Sequence, residues 1–505
     1  MQTAAIIGAG PGGIAMAVKL KQAGIEDFTV FERSAGPGGT WWDNTYPGAG
    51  VDIASALYSF SFMRDYDWSR THALQGELLR YIDAVVERFG LRPHMRFGQG
   101  VKDVTWDDAA QAYDLRLDDG GTHRFRAVVS GLGMLNVPNY PTWPGLDSFT
   151  GPKFHTARWE HGHDLSGKRV AVVGTGSTAA QVVPALAPKV AQLILYQREP
   201  GWILPKMERD FTEDERTRLK RSSLLRDWRR FVVHWNVELA RRALDPAARH
   251  QARMRQRALD HLATVRDPAM RAALTPDYPL FCKRIIVSDD FYAALNRDNV
   301  TLVPRPVASV TPTGLVDVDG VERPADVLVM ATGFKAASYL HGLSVRGREG
   351  RALHDVWGTE PQAFLGICVP GFPNFFILYG PNTNGGSIIF NIERQAEWIA
   401  RALRRMGRRE LGAVEVREGA FRRYNAWVDK GNAGRSWDGG GCANYFRSPA
   451  GRIVTQWPYP VTLYAALTRV LDSALVCEGR RRMASDAPSP YPSLVGEGNK
   501  GRGRR

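Results

Sequence analysis

Two stretches in which an apolar strand runs into a glycine-rich turn and then a helix, Ala4–Ala23 and Arg169–Leu186, predict an α/β fold with two Rossmann-like dinucleotide-binding domains. A third stretch, from about residue 206 to 275, has helical spacing and many arginines, and it predicts a run of helices after the second of these units. With 505 residues and 44% apolar side chains, the chain is long enough for two or three packed cores. The expected division is a first domain in two parts, 1–145 and 335–478, and a second over 146–334. A basic, low-complexity tail over 479–505 is expected to be disordered.

The formal charge of +14 does not by itself mean nucleic acid. Residues 480–505 hold seven basic and two acidic side chains, a balance of +5. Much of the rest lies in Lys206–Arg271, read as a solvated helical face, and no nucleic-acid-binding module accompanies it. The four cysteines are far apart without a CxxC pair, so neither a disulfide framework nor a metal site is expected, and the compartment is read as reducing. No secretory n-region and h-region precede the first strand. Val461–Cys477 is interrupted by Arg469 and Asp472 and is too short to span a bilayer. The expectation is a cytoplasmic monomer or homodimer without stable membrane insertion.

In the first unit, Ala4–Ile7 reads as a buried strand and Ile14–Ala23 as a helix ending at Gly24. Gly8 allows the turn, Gly10 lets backbone N–H groups approach a pyrophosphate, and Gly13 permits close packing of helix on strand. Phe28–Phe31 supplies the next strand. Glu32, 19 residues beyond Gly13, presents a carboxylate that accepts from ribose hydroxyls and repels a 2′-phosphate. The site therefore suits FAD or NAD, and FAD is favoured because a second nucleotide turn follows.

The loop Gly38-Gly-Thr-Trp41-Trp-Asp-Asn-Thr-Tyr46-Pro-Gly48-Ala-Gly-Val-Asp52 is rich in glycine and aromatics, as suits a segment wrapping a ring system. It matches [AG]GxWxxxx[FY]P[GM]xxxD, and here the chain resembles the class B flavoprotein monooxygenases, within them the type I Baeyer–Villiger enzymes. The resemblance implies that Thr40, Trp41, Asp52 and Tyr58 lie along the flavin, with Asp52 beside a catalytic arginine. From the residues alone, Asp52 also suits a turn cap and Tyr58 a core aromatic.

Helical spacing over residues 74–90 and a meander from Arg96 to Phe125 follow, and Val101 in that meander is counted with the flavin contacts. Ala127–Gly133 resembles the family's return strand, and the proline-rich Val137–Pro144 reads as a linker. Phe149, Gly151, His155 and Trp159 fit the family fingerprint FxGxxxHxxxW[PD], with Glu160 as the one departure. His155, next to apolar Phe154, is read as a structural histidine in a segment that couples the two nucleotide domains; it is not assigned acid–base chemistry.

The second unit runs from strand Arg169–Val173 through Gly174-Thr-Gly176-Ser177-Thr178-Ala179 into a helix over Ala180–Leu186, where Ala179 replaces the third glycine. The next strand, Gln192–Tyr196, ends at Gln197-Arg198. A cation there favours the 2′-phosphate of NADPH, although Glu199 weakens the field and Arg198 also suits a plain surface charge. In Phe281-Cys-Lys283-Arg284, the resemblance implies that Lys283 holds the NADP phosphate and that Arg284 faces the flavin edge, oriented by Asp52. A permanently charged guanidinium suits an oxygen-derived anion.

Ala325–Met330 reads as a strand entering Ala331-Thr-Gly333, which resembles the crossover back to the first domain. Gly371–Asn382 resembles a flavin-contacting turn. Ile388 suits either the isoalloxazine or the core, Trp437 either the substrate cavity or the core, and Ile392–Arg404 forms an amphipathic helix. The resemblance implies an FAD-dependent, NADPH- and O2-using monooxygenase that converts a ketone to an ester or lactone through a C4a-peroxyflavin. The alternatives are a flavin-containing N/S-monooxygenase and a non-catalytic flavin-binding protein. Gly50 stands where many relatives carry arginine, so the substrate is not legible.

Overall fold

The computed structural model describes residues 2–439 and 441–479. The predicted basic tail therefore lies, apart from Gly479, outside the described residues. Two sheets organise the chain. An eight-stranded sheet holds Gln2–Ile7 between the parallel strands Phe28–Glu32 and Thr122–Ser130, and the antiparallel meander Val101–Leu117 continues it outward. Strand Phe375–Ile377, far along the chain, adds in parallel to Thr122–Ser130. The first core is thus built from two separated parts of the sequence.

The second sheet is wholly parallel and five-stranded, in the order Val300–Val303, Gln192–Tyr196, Arg169–Val173, Val327–Met330, Lys153–His155. Its inner strands are buried nearly throughout, as expected for a parallel sheet covered on both faces. A separate three-stranded antiparallel meander spans Val307–Pro324.

Glycines at both nucleotide turns are required by contact. A Cβ on Gly13 would lie 1.8 Å from the Gly8 carbonyl oxygen, so helix Pro11–Gln22 can sit on its strand only with glycine there. Gly174 has φ +117°, and a Cβ there would meet the Ala331 oxygen at 2.4 Å. Ala179 in the second unit is fully buried and takes the place of the third glycine.

Two chain crossings join the sheets, and they run side by side. Asn139 N–H donates to the Gly333 oxygen at 2.9 Å, and Lys335 N–H donates to the Val137 oxygen at 3.0 Å. The fingerprint segment locks this junction. His155 ends the edge strand of the second sheet, is fully buried, and its Nε2 lies 3.0 Å from the same Gly333 oxygen, while its Nδ1 accepts from Ala157 N–H at 3.1 Å. Gly151 is fixed by contact too, since a Cβ would meet the Asp326 oxygen at 2.2 Å. Trp159 packs edge-on against Phe154, and the mismatched Glu160 points outward to His163 at 2.9 Å.

Several expectations change. The cysteines do pair: Cys282 and Cys442 form a disulfide across 160 residues, and Cys368 and Cys477 remain free. No spacing rule reaches that far, and the cysteine argument for a reducing compartment falls with it. Of the two places open to Trp437, it takes the core, at 4% exposure, with Nε1 donating to Asn432 Oδ1. The helix expected from Ile392 begins at Ile388, and the one expected from Ala180 begins at Ser177. The basic stretch forms helices Glu213–Arg221, Ser223–Ala240, Arg249–Leu262 and Pro268–Ala273. In Ser223–Ala240 it is the arginine side that packs inward and the apolar side that faces out, the reverse of a solvated charged face. Among the described residues, no helix is long and apolar enough to cross a membrane.

Candidate active site

Asp52 and Arg284 are brought together from 232 residues apart, with Arg284 Nη2 donating to Asp52 Oδ2. The two side chains keep 38% and 28% exposure for Arg284 and Asp52, so the pair is partly open to solvent and is not sealed in the core. Burial pushes the Asp52 carboxyl up, but the facing guanidinium outweighs it and holds the acid below its ordinary value. The Asp52 carboxylate in turn holds Arg284 well above the ordinary guanidinium value, against the opposing effect of burial. Both groups are therefore charged across the working pH range.

The signature loop is held between the two sheets. Tyr46 OH donates to Gln181 Oε1 at 2.8 Å, and Gln181 Nε2 donates to the Gly50 oxygen at 2.9 Å. Gln181 belongs to helix Ser177–Leu186 of the second unit, so this helix grips the loop that ends in Asp52. Gly48 sits at φ +82°, and a Cβ there would lie 2.5 Å from the Gln181 oxygen. Burial pushes the Tyr46 phenol up to about 12, which keeps it a hydrogen-bond donor.

Trp41 Nε1 donates to Tyr58 OH at 3.1 Å, with the rings edge to face, and burial pushes the Tyr58 phenol up. Ile388 is half-buried at the start of its helix beside the same core. Thr40 is exposed at the start of the short helix Thr40–Asp43, and its carbonyl accepts from Asn44 Nδ2. Tyr379 and Tyr445 were not singled out from the sequence, yet both side chains lie close to Arg284. Tyr379 OH donates to Asn384 Oδ1 at 2.7 Å. The disulfide ties the Arg284 loop to the segment carrying Tyr445, and no local sequence signal marks that meeting.

At the first turn, Glu32 is buried and accepts from Ala9 N–H at 2.7 Å and Ser34 N–H at 2.8 Å. A carboxylate has about four lone-pair sites, so two of roughly four remain. Gln99 N–H donates to the Glu32 carbonyl at 2.9 Å, which sets Val101 two residues from that strand end. Both glycine-turn helices start on a glycine, Gly10 and Gly176, without a side-chain cap, leaving first-turn N–H groups for an outside anion. A Cβ on Gly176 would stand in open space, and Ser177 and Thr178 follow at the helix start.

Lys283 pairs with Glu199 and lies over the Tyr278 ring at 4.7 Å. This sets it beside Arg198, which is exposed and makes no ion pair among the described residues. A small cleft of about 50 Å³ between residues 55–68 and helices Glu213–Arg221 and Ser223–Ala240 lies off the chemistry; neither Asp52 nor Arg284 lines it.

Residues 5–222 match the model of a family described as pyridine nucleotide-disulphide oxidoreductase. A Baeyer–Villiger monooxygenase from Pseudomonas aeruginosa is 39% identical over 474 residues, covering 93% of this chain and 90% of that one. The crystal structure of cyclohexanone monooxygenase from Rhodococcus sp. Phi1 bound to NADP+ superposes with a TM-score of 0.84 at 30% identity, covering 95% of this chain and 99% of that one. The enzyme OTEMO in complex with FAD and NADP has a TM-score of 0.84 at 26% identity, covering 94% and 99%.

Proposed function

We infer the reaction from the family: the chain belongs to the Baeyer–Villiger monooxygenases. It is an FAD-dependent, NADPH- and O2-using flavoprotein monooxygenase that inserts one oxygen atom beside a ketone carbonyl to give an ester or lactone. The observation that best supports a role for individual residues is the partly exposed Arg284–Asp52 pair, formed across 232 residues. When bound, FAD reduced by NADPH supplies the activated oxygen.

Arg284 is assigned to stabilise negative charge on the oxygen that attacks and on the carbonyl oxygen after attack. Its raised pKa supports that role, because the group holds its proton while charge builds nearby. Asp52 is assigned to hold the guanidinium in place. Tyr58 and Trp41, linked by their own hydrogen bond, are assigned to the wall beside the flavin, together with Thr40 and Ile388. Gln181 is assigned to hold the signature loop against the second unit.

Gly8, Gly10, Gly13, Glu32 and Val101 are assigned to the FAD nucleotide, and Gly174, Gly176, Ser177, Thr178, Arg198 and Lys283 to NADPH. The uncapped helix starts and the unpaired Arg198 support this. Sheet membership likewise supports a first domain of 1–145 with 335–478 and a second of 146–334. A panel of ketones incubated with enzyme, NADPH and O2 tests the reading by product mass. Products heavier by one oxygen atom are expected; unchanged ketones, with NADPH consumed only to hydrogen peroxide, would refute it.

A further inference from the structure

We propose that the outward face of helix Ser223–Ala240 is a docking surface for an anionic lipid bilayer. Leu224, Trp228, Phe231, Trp235 and Leu239 recur every three or four residues and so form one stripe along the helix. They are 81%, 62%, 53%, 43% and 42% exposed, which is the reverse of what a helix on a globular surface does with its apolar side. Trp228 stacks on Phe231 with ring centroids 5.6 Å apart, and Phe231 meets Trp235 at 6.0 Å, so the aromatics form a continuous row.

The inward side fixes this orientation. Arg230 donates to the carbonyls of Ala56 and Ser59 at 3.0 and 2.8 Å, and Arg229 lies over the Phe211 ring at 4.3 Å. Turning the apolar stripe inward would break these contacts and strand the arginines. The stripe is therefore presented by construction, and its occupant lies outside the described chain.

Charge identifies the occupant. Arg221 at one end and Arg242 at the other are exposed and make no ion pair among the described residues, and Lys220 beside Arg221 borders the cleft beneath the helix. Tryptophan and phenylalanine between cationic ends match the boundary between lipid headgroups and acyl chains, with anionic headgroups meeting the cations. A second copy of the chain fits less well. The stripe is about 27 Å long and about 10 Å wide, roughly 300 Å², against about 800 Å² per partner for a stable interface. Antiparallel pairing would also set the cations of one copy against those of the other.

The test is flotation of the FAD-loaded enzyme with vesicles of phosphatidylcholine alone or with about a third phosphatidylglycerol. The expected result at low salt is at least about tenfold more enzyme on the anionic vesicles. That excess is lost in the triple variant Trp228→Ser, Phe231→Ser, Trp235→Ser, which keeps its NADPH oxidation and elution volume. The charge-reversed Lys220→Glu, Arg221→Glu variant, which leaves the aromatic row intact, loses the preference for anionic vesicles. Absence of wild-type flotation overturns the proposal, as does flotation of either variant on anionic vesicles to the same extent as wild type. So does binding lost only on truncation after Gly479, or a wild-type dimer that the triple variant converts to monomer without any vesicle binding.

Discussion

Asp52→Asn keeps the size of the side chain and removes its charge, leaving Arg284 without its ion partner. The pair is partly open, at 38% and 28% exposure for Arg284 and Asp52, so its dielectric surroundings lie between bulk water and a protein surface. Attraction at contact is then about 2–3 kcal/mol, below the buried-pair values. If that attraction is what keeps the guanidinium at the site, its loss lowers the positioned fraction by about 30- to 150-fold. The expected outcome is a fall of that size in kcat/KM for ester formation, with NADPH still oxidised and more hydrogen peroxide released. Product and peroxide are quantified in the same reaction. A fall of less than about threefold with unchanged peroxide yield would refute the reasoning, because it lies well under the work expected of the pair. The pH dependence carries a sign. The Asp52 acid is held below its ordinary value, so the pair's contribution is complete above the ordinary carboxylate range and is lost only as pH falls below it.

Gly13→Ala and Gly176→Ala separate packing from binding. The first inserts a Cβ 1.8 Å from a backbone oxygen and is expected to yield FAD-free or insoluble protein; the second points into open space, leaves Tm unchanged and raises the KM for NADPH. Flavin content, melting curves and NADPH titration distinguish them, and equal behaviour of the two would contradict the packing account. Burial lowers His155 to about 4 from 6.5, so the unfolded chain binds the extra proton and stability declines as pH drops from about 6.5 toward 4. The contribution is at most about 3 kcal/mol; a denaturant midpoint that falls equally between pH 7 and 5 in wild type and His155→Gln would argue against it. Thiol titration of denatured, unreduced protein is expected to find two of the four cysteines, rising to four after reduction, and four thiols at the outset would exclude the Cys282–Cys442 bond.

The parts of the site legible in the sequence were those written in local spacing. Gly8, Gly10, Gly13 and Glu32 each act within one strand–turn–helix unit, and the fingerprint from Phe149 to Trp159 is a single short segment. The resemblance linked Asp52 to Arg284 across 232 residues, something no periodicity would have done. What stayed hidden arises only when distant segments meet. Gln181 gripping the Tyr46 loop, Cys282 joining Cys442 and Tyr445 approaching Arg284 are consequences of packing between the units. Helix Ser223–Ala240 misled for a related reason. Its composition states that it is basic and amphipathic, but which side faces in depends on the carbonyls of Ala56 and Ser59 that receive Arg230.

The most direct measurement is ester formation by Arg284→Ala alongside sulfide oxygenation by the same preparation. The account predicts that ketone oxygenation falls by about 10²- to 10³-fold or more while NADPH still bleaches the flavin. Ester formation within a few-fold of wild type, or loss of flavin reduction in step with ester formation, would contradict the role given to this guanidinium. Sulfide oxygenation that proceeds undiminished, in an enzyme whose wild-type form leaves every ketone unchanged, would point instead to nitrogen or sulfur oxygenation.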